Sequence, residues 1–194
     1  MSKTTFVTGL CGVLTVAALS VSVACGGEAA TSSGGAQTGG ASGGTVPTTA
    51  GGASAAQDFT ARDINGKTVH LSDYLGKQAI LLNFWGTFCE PCLEEFVHVR
   101  RIYAAHKAKG FVVLAVSMDG PDTIANVPSF AKRNNLDFPV LLDEDSHVAA
   151  IYNPKKSAPL SILIDKSGKV VRTHEGYNPG DEEALEKEVA EMVK

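Results

Sequence analysis

Two cysteines three residues apart, Cys89 and Cys92, are the side chains of this 194-residue chain best suited to chemistry. Cysteines at this spacing form a disulfide with little rearrangement, and a thiolate is both a nucleophile and a metal ligand. A continuous apolar run at 79–85 precedes them, and apolar residues at helical spacing follow them. The pair is therefore predicted at the first turn of a helix, where free N–H groups and the helix dipole stabilise anionic sulfur.

The order of the two cysteines along that helix predicts different roles for them. Cys89 comes first and is expected to be exposed, as the attacking thiolate. Cys92 lies within the first turn, is more protected, and is expected to resolve a mixed disulfide by attacking the Cys89 sulfur. Pro91 fits this position, because a missing N–H costs nothing at the start of a helix.

Three other interpretations of the pair are weaker. Half of a zinc site would need two of the five histidines to converge, and none of them form an H-x₃₋₅-H pair. An inert structural disulfide would close only a short loop and add little stability. A peroxidatic cysteine would be expected in the P-x-x-x-T-x-x-C pattern of peroxiredoxins, which the sequence lacks at both Cys89 and Cys92.

The remaining pattern predicts the elements that position this pair. Asn65 and Gly66 lie between two short segments and predict a β-hairpin, because both residue types tolerate positive φ. Strands are expected at 79–85, 111–117, 140–142, 161–165 and 170–174, a short helical turn at 73–75 capped by Ser72, and helices from 93 until Gly110, at 122–134, at 146–152 and at 181–193. This order predicts an α/β fold with a mixed central sheet and helices on both of its faces.

Charged residues and glycines divide the chain into parts of different character. Only two of the 38 charged residues lie before position 58, whereas 12 of the 20 glycines do. Residues 1–24 carry Lys3 and then a small, apolar, uncharged stretch, which is typical of an export signal. Residues 25–57 are so rich in Gly, Ala, Ser and Thr that they predict a flexible tether. The folded domain is therefore expected over residues 58–194.

The end of the export signal resembles the lipobox of bacterial lipoproteins. Val23 and Ala24 place small residues before Cys25, although Ser22 stands where Leu is usual. The resemblance implies that Cys25 carries lipid as the first residue of the mature chain, which anchors the protein to a membrane on its extracytoplasmic, periplasmic side. The alternative is a plain secretory signal cut near Ala24, which leaves a free thiol.

Overall charge and composition exclude several function classes. A net charge of −4 with mixed signs offers no basic stripe and argues against nucleic-acid binding. After the start of the chain no apolar run reaches the length of a membrane-spanning helix. No G-x-G-x-x-G fingerprint predicts a nicotinamide site. No metal is expected either, and the redox disulfide is the only redox group expected. Without an apolar stripe to form an interface, the chain is expected to be a monomer.

The stretch from Asn83 to Phe96, NFWGTFCEPCLEEF, resembles the active-site segment of the TlpA/ResA-like membrane-tethered thioredoxins. The resemblance covers about residues 58–194, including the hairpin and the segment 162–169. It implies a thioredoxin fold with an N-terminal β-hairpin extension. It also implies thiol–disulfide exchange outside the cytoplasm.

Position by position, the resemblance assigns roles to the residues around the cysteines. It implies that Cys89 is the nucleophile and Cys92 the resolving thiol. Glu95 matches the family's active-site glutamate and is expected to relay the proton of Cys92, the alternative being an ordinary solvated helix acid. Asn83 stands where cytoplasmic thioredoxins keep a buried aspartate, so that aspartate's proton relay is absent.

The same resemblance predicts the substrate-binding residues. Pro159 matches the family's cis-proline, which leaves the backbone of Ala158 free to pair with an extended substrate. Ala158 is smaller than the usual Thr or Val, and Phe88 replaces a frequent Trp. Phe88 and Trp85 are expected to pack at the rim of the site.

The predicted function is a thiol-disulfide oxidoreductase that reduces protein disulfides. Glu90 and Pro91 resemble the dipeptide of reductants that serve apocytochrome c, and electrons are then expected from a membrane thiol donor. Two other function classes remain open. One is a peroxiredoxin-like thiol peroxidase, and the other is a non-catalytic lipoprotein that holds a partner or a metal in the groove at Pro159.

Overall fold

A computed structural model describes residues 54–194. The predicted signal at 1–24, most of the predicted tether and Cys25 lie outside the described residues. The strands are β1 (Ser54–Ala55), β2 (Thr60–Asp63), β3 (Thr68–His70), β4 (Ala79–Trp85), β5 (Phe111–Ser117), β6 (Val140–Leu142), β7 (Leu160–Ile164) and β8 (Lys169–Glu175). The α-helices are α1 (Glu90–His106), α2 (Val127–Arg133), α3 (His147–Tyr152) and α4 (Asp181–Met192). Short 3₁₀ turns cover Leu71–Asp73, Lys107–Lys109 and Ile124–Asn126.

The strands form one mixed sheet in the order β1-β8-β7-β4-β5-β6-β2-β3. Strands β4, β5 and β6 are parallel, while β7 and β8 pair antiparallel on one side and the β2–β3 hairpin on the other. Every residue of β4 and β5 is buried, which explains why their sequences are nearly continuous apolar runs. These two central strands end beside each other, at the edge where α1 begins.

Alternation along β4 divides the core between the two faces of the sheet. Leu81 and Trp85 pack with residues of α1, α2 and α4, whereas Ile80, Leu82 and Phe84 pack with α3 and the hairpin. Each such side chain contributes about 1.5–3 kcal/mol when fully buried. The predicted α/β class, with a mixed sheet and helices on both faces, is confirmed.

The predicted hairpin forms between β2 and β3. Gly66 has a φ of 80°, a conformation that favours glycine. The Asp63 carboxylate closes the turn, because its Oδ1 accepts hydrogen bonds of 2.8 Å from the backbone N–H groups of Asn65 and Lys67. Pairing of β2 with β6 attaches the hairpin to the edge of the sheet, as an extension of the central strands.

The sheet begins earlier in the chain than predicted. Residues 54 and 55, which composition places in the tether, form β1 and pair antiparallel with β8. The Ala56 N–H also donates to the Gly168 carbonyl at 2.8 Å. These contacts involve the backbone and need no apolar side chains, so composition does not reveal them.

Two predicted helical segments differ from the structure. The helix predicted at 122–134 is a 3₁₀ turn followed by the shorter α2, because Pro128 lacks an N–H and is accommodated only in the first turn of a helix. The turn predicted at 73–75 lies instead at Leu71–Asp73. Ser72 is inside this turn and does not cap it, and its N–H donates to Asp58 Oδ1. Among residues 54–194, none of the helices has the length and hydropathy needed to cross a membrane.

Candidate active site

Cys89 and Cys92 lie where β4 gives way to α1, as predicted. Cys89 is the N-cap residue of α1 with extended backbone, and its Sγ accepts a hydrogen bond of 3.3 Å from the Cys92 N–H. The two sulfurs are joined in a disulfide, and the Cα atoms are 5.3 Å apart. Pro91 falls in the first turn of the helix, where its missing N–H is not needed.

The two sulfurs differ in exposure. Cys89 keeps 7% of its surface exposed and Cys92 keeps none, and both belong to the apolar cluster under α1. Cys89 is thus less exposed than predicted, because in the disulfide it packs against that cluster. It is still the member of the pair that solvent reaches, so an incoming thiol or disulfide meets Cys89 first.

Asp119 anchors the loop that carries Cys89. Its carboxylate accepts hydrogen bonds from the Thr87 N–H at 2.9 Å, from the Thr87 hydroxyl, and from the Ser117 hydroxyl at 2.8 Å. Burial raises the pKa of Asp119, but the hydrogen bonds from Thr87 and Ser117 outweigh it and hold the pKa below its ordinary value. An ionised Asp119 after β5 therefore fixes the loop after β4.

Sequence reasoning missed Asp119, although a signal for it exists. The residue follows the carboxyl end of the predicted strand 111–117, and polar groups at the carboxyl ends of neighbouring parallel strands meet at one edge of a sheet. Its partner Thr87 lies 32 residues earlier in the chain.

Glu95 is buried one helical turn after Cys92, on the same face of α1. Its Oε2 accepts from Asn83 Nδ2 at 2.8 Å and its Oε1 accepts from the Ser161 hydroxyl at 2.8 Å. Burial raises the pKa of Glu95, and the hydrogen bonds from Asn83 and Ser161 only partly oppose that effect. Glu95 therefore takes up a proton more readily than an exposed glutamate, which is the property a proton acceptor for Cys92 needs.

Asn83 and Ser161 form the polar floor beneath Glu95. They are register partners on β4 and β7, and Asn83 Nδ2 lies 2.9 Å from the Ser161 hydroxyl. Both are buried, and within residues 54–194 Asn83 Oδ1 has no hydrogen-bond partner. Sequence reasoning did not identify Ser161, but a polar residue inside an apolar strand is itself a signal, because buried polar groups need partners.

The loop before β7 contains the predicted proline. The Ala158–Pro159 peptide bond is cis, which is the geometry that the family resemblance implies. Pro159 is buried, and its carbonyl accepts a hydrogen bond of 2.8 Å from the Gly176 N–H. Ala158 packs against the apolar cluster that contains both cysteines. In the described part of the chain no backbone hydrogen bond ends on Ala158, which leaves its amide available to a partner.

Comparison with known sequences agrees with this geometry. Residues 53–173 match the AhpC/TSA family. ResA of Halalkalibacterium halodurans, a thiol-disulfide oxidoreductase, is 33% identical over 139 residues, which cover 72% of this chain and 75% of that protein. ResA of Bacillus subtilis is 42% identical over 123 residues, covering 63% of this chain and 66% of that protein. The chain belongs to the ResA-like thiol-disulfide oxidoreductases.

Solved structures show the fold of this ResA-like chain. A protein of Chlorobium tepidum assigned as thiol:disulfide interchange protein DsbE superposes with a TM-score of 0.67 at 34% identity, covering 73% of this chain and 97% of that one. The thioredoxin domain of a thiol-disulfide oxidoreductase from Bacteroides vulgatus gives 0.62 at 26% identity, covering 75% of this chain and all of that domain. The predicted thioredoxin fold and the predicted enzyme class, a C-x-x-C thiol-disulfide oxidoreductase, are confirmed.

The predicted rim of the ResA-like site needs one correction. Trp85 is fully buried and packs against Phe96 and Phe130, with ring centroids 5.0 and 5.1 Å away, so it supports the core under α1 and does not lie at the rim. Its position on β4 points it toward α1. Phe88, by contrast, is 67% exposed beside Cys89. Its ring lies over Gly86, where an added Cβ would come within 2.4 Å of it.

The described part of this ResA-like chain shows no further grouping of metal-binding side chains. Within residues 54–194, no three His, Cys, Asp or Glu side chains are placed to hold a metal ion. The candidate site described above consists of its two sulfurs, one buried carboxylate and the loop around Pro159.

Proposed function

We propose that this protein is an extracytoplasmic reductase of protein disulfides. The observation that carries the proposal is the grouping of Cys89, the member of the pair that solvent reaches, with a fully buried Cys92 and a buried Glu95. This arrangement supplies an attacking sulfur, a resolving sulfur and an acceptor for the resolving proton. The direction of exchange rests on Glu90 and Pro91, which resemble the dipeptide of reductants.

The reaction proceeds in two steps from the reduced enzyme. The Cys89 thiolate attacks a client disulfide, so that one client sulfur leaves as a thiolate and takes a proton from water. Cys92 then gives its proton to the Glu95 carboxylate, and its sulfur attacks Cys89 Sγ. The Cys89–Cys92 bond forms, the second client thiolate leaves, and the client has gained two electrons. A membrane thiol donor returns the enzyme to its dithiol form.

The client is proposed to be an extended segment with a disulfide, of the kind found in apocytochrome c. A C-x-x-C-H haem-attachment motif must be reduced before haem is joined to it. The unpaired amide of Ala158 offers backbone hydrogen bonds to such a segment, and the exposed Phe88 ring offers an apolar contact. Neither contact depends on one particular side-chain sequence in the client.

Membrane anchoring is proposed from the predicted signal and Cys25. A Gly-rich coil of about 30 residues has a root-mean-square span of roughly 30 Å and reaches roughly 100 Å when extended. An anchored domain on such a tether could meet both a membrane donor and a soluble client. ResA-like relatives share the domain, but the anchor rests on the sequence pattern around Cys25.

The decisive experiment is to trap clients with Cys92→Ser. Without the resolving thiol, mixed disulfides on Cys89 accumulate and can be identified by mass spectrometry, whereas the matched Cys89→Ser variant traps none. If Cys92→Ser, expressed in place of the wild-type protein, traps no client, the exchange mechanism is contradicted.

Two in vitro measurements test the direction and the reaction class. Wild-type protein is expected to reduce insulin disulfides in a Cys89-dependent reaction. A reduction potential near that of a strong oxidant, about −120 mV, would contradict the reductase assignment. Consumption of hydrogen peroxide through Cys89, faster than insulin reduction, would favour a thiol peroxidase instead.

A further inference from the structure

Further polar side chains lie near Glu95 on β7 and β8, the strands on one side of β4. Ser161, whose hydroxyl donates to Glu95 Oε1, is the cross-strand register partner of His174 on β8. Directly opposed residues of antiparallel strands share one face of the sheet, with Cβ atoms about 5 Å apart. Glu95, Ser161 and His174 line the same small cavity of about 20 Å³, which is room for one water molecule.

The outer end of this set reaches solvent. His174 Nε2 lies 2.7 Å from Glu188 Oε2, and the other Glu188 oxygen lies 3.4 Å from Arg172 Nε. The His174 side chain is 35% exposed. Glu188 thus holds the ring through one nitrogen, while the other nitrogen makes no hydrogen bond within residues 54–194. An imidazole held in this way can receive a proton on one side and release one on the other.

We propose that His174 is the residue through which Glu95 exchanges its proton with solvent. The inference rests on the proposed function, in which Glu95 receives the proton of Cys92. While Cys92 is being deprotonated, the proton that Glu95 takes up passes on, by way of the Ser161 hydroxyl or a water in the shared cavity, to the His174 ring. It then leaves to bulk water beside Glu188, and the Glu95 carboxylate is restored for the next cycle.

Two other titratable groups of the cavity are less well placed. His98 Nδ1 lies 3.7 Å from Glu182 Oε1, and His98 lies on α1, so it is not a strand partner of Ser161 as His174 is. Tyr177 donates to Glu182 at 2.9 Å. Burial and this hydrogen bond raise the pKa of Tyr177 to about 12, so that it keeps its proton at neutral pH.

The charged groups around the cavity act on Glu95 in opposite senses. The Asp181 carboxylate raises the pKa of Glu95, and His174 lowers it. Glu182 and Asp181 lie on α4 at the mouth of the cavity, whereas Glu188 lies two turns further along the helix. His174 is therefore the group that is paired across β7 and β8 with Ser161, the partner of Glu95, and that also contacts Glu188 at the surface.

The test compares His174→Gln with His98→Gln in the full-length protein. Single-turnover oxidation of the reduced enzyme by a disulfide peptide is followed through Trp85, the only tryptophan, which packs in the same cluster as both cysteines. His174→Gln is expected to slow the resolving step at least about tenfold and to flatten its dependence on pH. His98→Gln is expected to leave both unchanged.

Chemical rescue separates a proton-carrying role from a structural one. Added imidazole is expected to restore the resolving rate of His174→Gly but not that of His174→Gln. If His174→Gly does not fold, Glu188→Gln takes its place, because it removes the carboxylate that orients the ring and should shift the pH profile. An unchanged pH profile in His174→Gln, or an equal loss in His98→Gln, would overturn the proposal.

Failure of the relay and failure of the proposed function give different results. If the wild-type protein does not reduce insulin through Cys89, the proposed function itself fails. If it does, and the His174 variants keep the wild-type rate and pH profile, only the relay is rejected.

Discussion

Glu95 must be ionised to accept a proton, but its buried charge destabilises the fold. Burial raises its pKa above the ordinary value of 4.5. A folded-state pKa above the unfolded one means that the folded protein binds this proton more tightly than the unfolded chain. The stability that Glu95 contributes is therefore fully present below pH 4.5 and is lost as the pH rises through the folded-state pKa.

Replacing Glu95 with Gln is expected to separate these two effects. The amide can accept from Asn83 and donate to Ser161, and it stays neutral at every pH. We expect the oxidised variant to lose less stability than wild type between pH 5 and pH 8 in urea unfolding, while its resolving step slows on the order of 100-fold. Equal pH dependence of unfolding in the two proteins would show that burial does not raise the pKa of Glu95.

The site residues that can be predicted from the sequence belong to one short motif around the cysteines. Cys89, Cys92 and Glu95 lie within seven consecutive positions, so their spacing alone places them on one helical turn and the next. Ser161 could not be found in this way, because it lies 78 residues from Asn83 and meets it only through strand pairing. Long-range hydrogen bonds of this kind need the register of the sheet, which the sequence pattern does not provide.

At the scale of elements, the β4–α1 loop owes its position to a contact from the next strand. The buried, ionised Asp119 accepts three hydrogen bonds, two of them from Thr87. Because Thr87 lies two residues before Cys89, this contact holds the Cys89 sulfur at the N-terminus of α1. The loop should therefore lose both stability and order when the carboxylate is removed.

Asp119→Ala is expected to destabilise the protein by about 2–4 kcal/mol, because hydrogen bonds to a charged group contribute about 1.5–3 kcal/mol and buried donors lose their partner. Urea unfolding measures this loss. The same substitution should also change the rate at which Cys89 is alkylated in the reduced protein. Asp122→Ala, which removes an exposed acid from the following turn, is the matched control and should have little effect. A similar loss in both variants would show that Asp119 has no special anchoring role.

Elements that are stabilised by burial of apolar side chains are predicted accurately, whereas elements that depend on backbone hydrogen bonds are not. β4 and β5 were predicted with their observed bounds, because burial on both faces demands uninterrupted apolar runs. α2 was predicted too long, since apolar spacing continues across Pro128 while the backbone hydrogen bonds cannot. β1 was missed because backbone pairing with β8 leaves no mark on side-chain composition.

At the scale of the whole molecule, residues 54–57 connect two distant parts of the domain. Ala56 bonds to the turn between β7 and β8, and the Gln57 carbonyl accepts from the Tyr152 hydroxyl on α3. A chain starting at residue 58 is expected to be about 2 kcal/mol less stable than one starting at residue 54, from the loss of a few hydrogen bonds. Both should reduce insulin equally, because the cysteines are untouched. Equal unfolding midpoints would show that β1 contributes nothing.

The proposed anchor makes the last prediction, which concerns the full-length chain in the cell. Cys25→Ala is expected to move the protein from the membrane fraction to the soluble extracytoplasmic fraction, and the mature wild-type N-terminus should carry the mass of acyl chains. Insulin reduction per molecule should not change. Reduction of the released protein by its membrane donor should slow, because tethering raises the effective concentration of the two partners.

Cys11→Ala is the matched control for this experiment, since Cys11 lies inside the predicted signal and should be absent from the mature protein. It should leave the membrane association and the N-terminal mass unchanged. An unmodified Cys25 thiol on a soluble wild-type protein would contradict the anchor without affecting the chemistry of Cys89. The two halves of the proposal are thus separable, because the anchor decides where exchange takes place and Cys89, Cys92 and Glu95 decide how.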